Sequence, residues 1–113
     1  MIRRRFLSNN PEDLKLLTLA KATQARSNSI SAAALRDNTG RTYVAVPVKS
    51  GDFQIDSLLA VLVVAKASGI TGIEAIVIAG EVAPASSIVI VRKEDLAVKL
   101  FAVTDADDLA AIE

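Results

Sequence analysis

Residues 43–69 read YVAVPVKSGDFQIDSLLAVLVVAKASG, and the reading of this stretch decides the fold. Its first part alternates. Thr42, Val44, Val46 and Val48 interleave with Tyr43, Ala45 and Pro47, the period-two signature of a strand with one buried face. Pro47 has no amide to give to a ladder, so it belongs at an edge or a strand end. Residues 49–53 read as a loop. The segment after it is ambiguous on pattern, because Val61, Val63 and Val64 suit a strand as well as a helix. Length and punctuation decide for a helix: Asp56 or Ser57 can cap its start, and Gly69 suits its exit. A helix that is apolar on nearly every side must be covered on several sides, under a sheet or between subunits.

Working outward, residues 30–36 (ISAAALR) are a run of strand length, and Asp37-Asn38-Thr39-Gly40 is turn chemistry that closes a hairpin with the alternating strand. Asn10-Pro11-Glu12-Asp13 starts a helix: Asn caps, Pro suits the first helical position, and two acids face the positive dipole end. That helix is expected to run to about Arg26. Downstream, residues 73–79 (IEAIVIA) are almost continuously apolar, which marks a central strand. Residues 88–91 read as a further strand, 92–95 as a turn and 98–103 as a third strand. A short last helix, capped by Thr104 or Asp105, is expected through Ile112. The order α-β-β-α-β-β-β-α predicts an α/β sandwich in one domain spanning residues 1–113, with residues 1–9 a flexible basic N-terminus.

The composition narrows the chemistry. The 113 residues contain no cysteine and no histidine, so disulfides, thiolate sites and imidazole ligands or bases are excluded. Just over half the residues are apolar, which supplies a core and more apolar surface than a chain this small can hide, favouring association. Charge is split along the chain: net +6 over residues 1–50 and net −6 over 51–113. The longest unbroken apolar run, 58–65, is too short for a membrane span, and Arg3-Arg4-Arg5 is not followed by the apolar region of a signal peptide. A cytoplasmic protein with no membrane partner is expected.

Ser27-Asn28, Ala32-Ala33-Ala34-Leu35, Gly40-Arg41-Thr42-Tyr43, Val48 and the helix after Phe53 together resemble the small tetrameric cytidine deaminases, from about Ser27 to Gly69. The resemblance implies a cytidine deaminase-like sandwich, a mixed sheet of about five strands with helices packed on it, and a dimer or tetramer. It also implies a zinc site and a proton-shuttling glutamate. Here the first ligand triplet falls on Leu58-Leu59-Ala60, and the Pro-Cys-x-x-Cys region on Ala83-Pro84-Ala85-Ser86. Residues 80–87 are too short for a crossover helix, so the third, zinc-site helix is expected to be missing or reduced. The ribose-binding pattern falls on Pro47-Val48-Lys49, and the aromatic that stacks on the base on Ser29.

The expectation from sequence is therefore a zinc-free protein that is not an enzyme, with no catalytic residue, no metal ligand and no cofactor, acting as an oligomeric structural or partner-binding module. The alternatives are a nucleoside or nucleotide sensor, and RNA binding through the basic N-terminal half. Lys49, Phe53, Asp56 and Ser57 are the candidate ligand-binding residues around the pocket. Lys49 would suit a phosphate, and Asp56-Ser57 sit at a helix start where anions bind.

Overall fold

The computed structural model describes residues 7–113. Helix α1 (Pro11–Ser27) starts as its sequence dictates: Asn10 accepts the Glu12 amide at 2.8 Å, and Pro11 opens the first turn. Asn28 ends it in the left-handed conformation, where an αL residue can satisfy the last carbonyls. Strands β2 (Ser31–Asp37) and β3 (Thr42–Ala45) form the expected hairpin. The chain leaves the sheet at Val46-Pro47, since proline cannot continue a ladder. It then makes a separate two-stranded ribbon, β4 (Val48–Ser50) and β5 (Phe53–Ile55), where a loop was expected. Helix α2 (Ser57–Ala67) follows, capped by Asp56, and β6 (Ile73–Gly80) comes next.

Three downstream expectations fail. Residues 88–91 are not a strand but lie inside helix α3 (Ala85–Glu94), and 92–94 are its last turn. The third helix is thus present, ten residues long. β-branched residues favoured strand locally, but β6 and β7 (Lys99–Val103) pair in parallel, and a parallel pair needs a crossover. Ser87 and Val91, one turn apart, face inward, while Val89 and Ile90 face out. The expected C-terminal helix is instead a turn and a strand. Asp107 takes a positive φ of 61°, Thr104 closes the turn on Asp108, and β8 (Leu109–Ala111) pairs with β7. At the other end, residues 1–6 of the expected flexible segment lie outside the described residues. Leu7 and Ser8 form strand β1 (Leu7–Ser8) on β8.

The sheet order is β1-β8-β7-β6-β2-β3, six strands of mixed direction. Strand β6 is central, as its apolar run predicted, and its side chains alternate between two cores. Ile76 and Ile78 join Leu58, Val61, Leu62 and Val91 beneath α2 and α3. Ala75, Val77 and Ala79 join Leu16, Leu17 and Ala20 beneath α1. The result is a three-layer sandwich with α1 on one face and α2 and α3 on the other. No helix among the described residues is long and apolar enough to cross a membrane.

Candidate functional site

Helices α2 and α3 start side by side at the carboxyl end of β6, where open α/β sheets place their ligands. Gly80 ends β6 with φ +87°, a conformation open to glycine, and turns the chain over this end of the sheet. A Cβ there would collide with the Ile30 carbonyl oxygen and the Gln24 side-chain nitrogen. The Glu81 amide bonds to the Ile30 carbonyl at 2.9 Å, which fixes 81–84 as one wall of a cleft. The β4–β5 ribbon is the opposite wall, and the start of β2 closes the floor. The cavity holds about 240 Å³.

Asp56, Ser57 and Ser31 supply the polar floor, and Ser87 of α3 bonds to Asp56 without lining the cleft. Asp56 Oδ2 accepts the Leu58 and Leu59 amides at 3.2 and 3.3 Å, the usual work of an N-cap. Its Oδ1 accepts the Ser87 hydroxyl from α3 at 2.7 Å. Ser57 and Ser31 are both buried, and their hydroxyls bond to each other at 3.0 Å. Ser31 donates within the pair, so the Ser57 hydroxyl proton has no acceptor among the described residues and is open to the cleft. The rim is mixed: Lys49, Gln54 and Glu81 supply polar groups, and Ile30, Val48 and Val82 are apolar and exposed. Lys49 has no carboxylate partner within 4.0 Å among the described residues. Helix α3 begins at Pro84 with no side-chain cap.

Three of the four residues expected to bind ligand are brought together here: Lys49 on the rim, Asp56 and Ser57 on the floor. Phe53 is not; it sits exposed on β5 and does not line the cleft. The positions assigned to the first ligand triplet are also displaced. Leu58 is fully buried in the core under the sheet, because the helix starts at Ser57 and its second residue already turns inward. The side chains that face the cleft at the start of α2 are therefore Asp56 and Ser57. Sequence reasoning missed Ser31 and Ser87. Reading Pro84-Ala85-Ser86-Ser87 as a helix start would have found Ser87, since proline followed by small polar residues is a helix-opening pattern.

The donor set does not fit zinc. The sequence has neither cysteine nor histidine. Among the described residues no cluster of three or more carboxylates could hold a metal ion. Asp56, the one carboxylate on the floor, already accepts three hydrogen bonds.

The family whose model matches the chain is described as cytidine deaminase-like, over residues 9–108. No curated protein matches it significantly. Among solved structures, the cytidine deaminase of Burkholderia pseudomallei is similar with a TM-score of 0.70 at 22% identity, covering 85% of this chain and 88% of that one. That of Mycobacterium leprae is similar with a TM-score of 0.65 at 16% identity, covering 85% and 90%. These matches overturn one expectation, that the chain is not an enzyme: the structures whose fold it shares are deaminases, which are enzymes. An ill-fitting zinc site bears on zinc chemistry and is no ground for excluding catalysis.

Proposed function

The chain belongs to the cytidine deaminase-like family, and from that premise we propose that its cleft binds a nucleoside or nucleotide, with Lys49 placed for a phosphate. The observation that carries this reading is the floor of the cleft, where Ser31 donates to Ser57 and the Ser57 hydroxyl proton has no acceptor among the described residues. Ser57 lines the cleft, so its hydroxyl proton is available to water or to an acceptor that a ligand brings. A volume of about 240 Å³ lies below the range for drug-sized ligands, which suits a compact molecule. Lys49 supplies a free cation on the rim, and the uncapped start of α3 adds a positive dipole end. Calorimetry with cytidine, uridine and their 5′-monophosphates tests the reading. Heat is expected for at least one, with the monophosphates tighter. Lys49→Ala should weaken the monophosphates about fivefold, the scale of an exposed ion pair, and leave the nucleosides unchanged. No heat from any of the four refutes the proposal.

A second reading rests on a separate surface, and makes the chain a dimer or tetramer that serves as a structural or partner-binding module. Lys66 on α2 pairs with Glu94 on α3, and Val63 and Ile90 lie one turn before each of them. Val63, Val64, Val89 and Ile90 are all exposed, an apolar strip along two neighbouring helices. Light scattering at micromolar concentration should show more than one copy, and a monomer refutes it. RNA has less support: Lys15, Lys21 and Arg36 are engaged by carboxylates, and Arg3–Arg5 lie outside the described residues.

A further inference from the structure

The starts of α2 and α3 meet at the cleft floor, and a fold that brings two helix N-termini together must hold them there. Both dipoles point their positive ends at the junction, so the arrangement is unfavourable without a compensating negative group. In a metal-dependent relative of this fold, ligands from both helices would share the ion. Here the donor set does not fit zinc, yet the junction is not left open. Asp56 spans it: one carboxylate oxygen takes the two amides of the first turn of α2, and the other takes the hydroxyl of Ser87, the third residue of α3. Ser87 is buried, so its hydroxyl would otherwise lack a partner.

We propose that the Asp56–Ser87 hydrogen bond stands in place of a metal as the tie between α2 and α3, and that Ser87 positions Asp56 for both helices. The tie does not depend on what the cleft binds. It supplies the negative charge that the two dipoles need and the link between the elements that frame the cleft. It uses acceptor capacity that a metal would require.

The test uses the full chain. Metal analysis of the purified protein and melting in the presence of EDTA or added zinc should show no co-purified zinc and no shift with either reagent. Ser87→Ala should raise the unfolding equilibrium constant about tenfold or more, the scale of a hydrogen bond to a charged acceptor. Ser87→Thr, which keeps the hydroxyl, should restore most of the loss. The double variant Asp56→Ala with Ser87→Ala should be less destabilised than the two single effects combined, because they share one interaction. Stoichiometric zinc whose removal lowers the melting point overturns the proposal. So does an additive cycle, or a Ser87→Ala protein as stable as the parent. If Asp56→Ala does not fold, Asp56→Asn completes the cycle. A nucleotide that failed to bind would leave these outcomes unaffected, so the two readings fail separately.

Discussion

The most demanding prediction concerns Asp13 and Arg36. Arg36 lies on the inner strand β2, between β6 and β3, with 8% of its side chain exposed, and its Nη2 reaches Asp13 Oδ1 on α1 at 2.8 Å. Asp13 is 3% exposed. Glu74 also contacts the guanidinium, at 2.8 Å, but is 51% exposed. Burial alone would lower the pKa of Arg36. The hydrogen bonds and charges of Asp13 and Glu74 outweigh that and raise it, so the guanidinium stays charged. Its Nη1 is buried with no acceptor among the described residues. Asp13→Ala would take away the buried counter-charge and also the acceptor of the Ser8 hydroxyl in β1. Removing one partner of a buried pair costs about 3–5 kcal/mol, whereas removing a half-exposed one costs about 1 or less. With a slope of about 2 kcal/mol per M, Asp13→Ala should lower the urea midpoint by roughly 2 M, and Glu74→Ala by under about 0.5 M. Replacing both buried members, Asp13→Leu with Arg36→Met, should recover most of the loss because no unpaired charge remains. Urea titration followed by circular dichroism measures all three. Equal shifts for Asp13→Ala and Glu74→Ala, or a double variant worse than Asp13→Ala, would refute the reasoning.

Gly80→Ala should destabilise by well over the roughly 1–2 kcal/mol of a left-handed alanine, because its Cβ would strike the Ile30 backbone at the cleft wall. Gly40→Ala, at φ +91° with open space around it, is the control and should show the conformational cost alone in the same melts. For Asp37, burial pushes the carboxyl up, but hydrogen bonds from the Thr39 hydroxyl and amide and the Arg41 amide, with the Arg41 charge, hold it below its usual value. The amides of Ile73 and Ala97 lower Asp95, against a weaker effect of burial. A depressed carboxyl adds stability above its unfolded pKa of about 3.9, and that stability is lost as pH falls through the lower folded value. Melting curves should therefore fall below about pH 4, and the fall should be shallower in Asp37→Asn.

Legibility followed how local each determinant was. Helix α1, the β2–β3 hairpin and the central strand β6 were readable because cap, turn and apolar run each sit within a few residues. Helix α3 was not. Ile88-Val89-Ile90-Val91 prefers strand on its own, and only the parallel pairing of β6 with β7, set by residues a dozen positions away, makes it a crossover. The last helix failed through turn chemistry, since Asp107 accepts a positive φ that the pattern did not signal.

The same limit shaped the reading of the site. The first ligand triplet falls on Leu58-Leu59-Ala60 when the family pattern is counted along the chain, which puts Leu58 at the head of α2. The helix begins at Ser57, however, so Leu58 turns into the core and Asp56-Ser57 take the corner that lines the cleft. One residue of helix moves a side chain by about 100°, enough to exchange a cleft position for a core position. Apolar residues at 58 and 61 therefore report on packing beneath the sheet and carry no information about the cleft. The floor of the cleft is Asp56, Ser57 and Ser31, all of them polar and all of them hydrogen-bonded to one another, to Ser87 or to a helix start. Burying such a group is tolerable only when it is matched, and the Ser57 hydroxyl lines the cleft, where water or a ligand can take its proton.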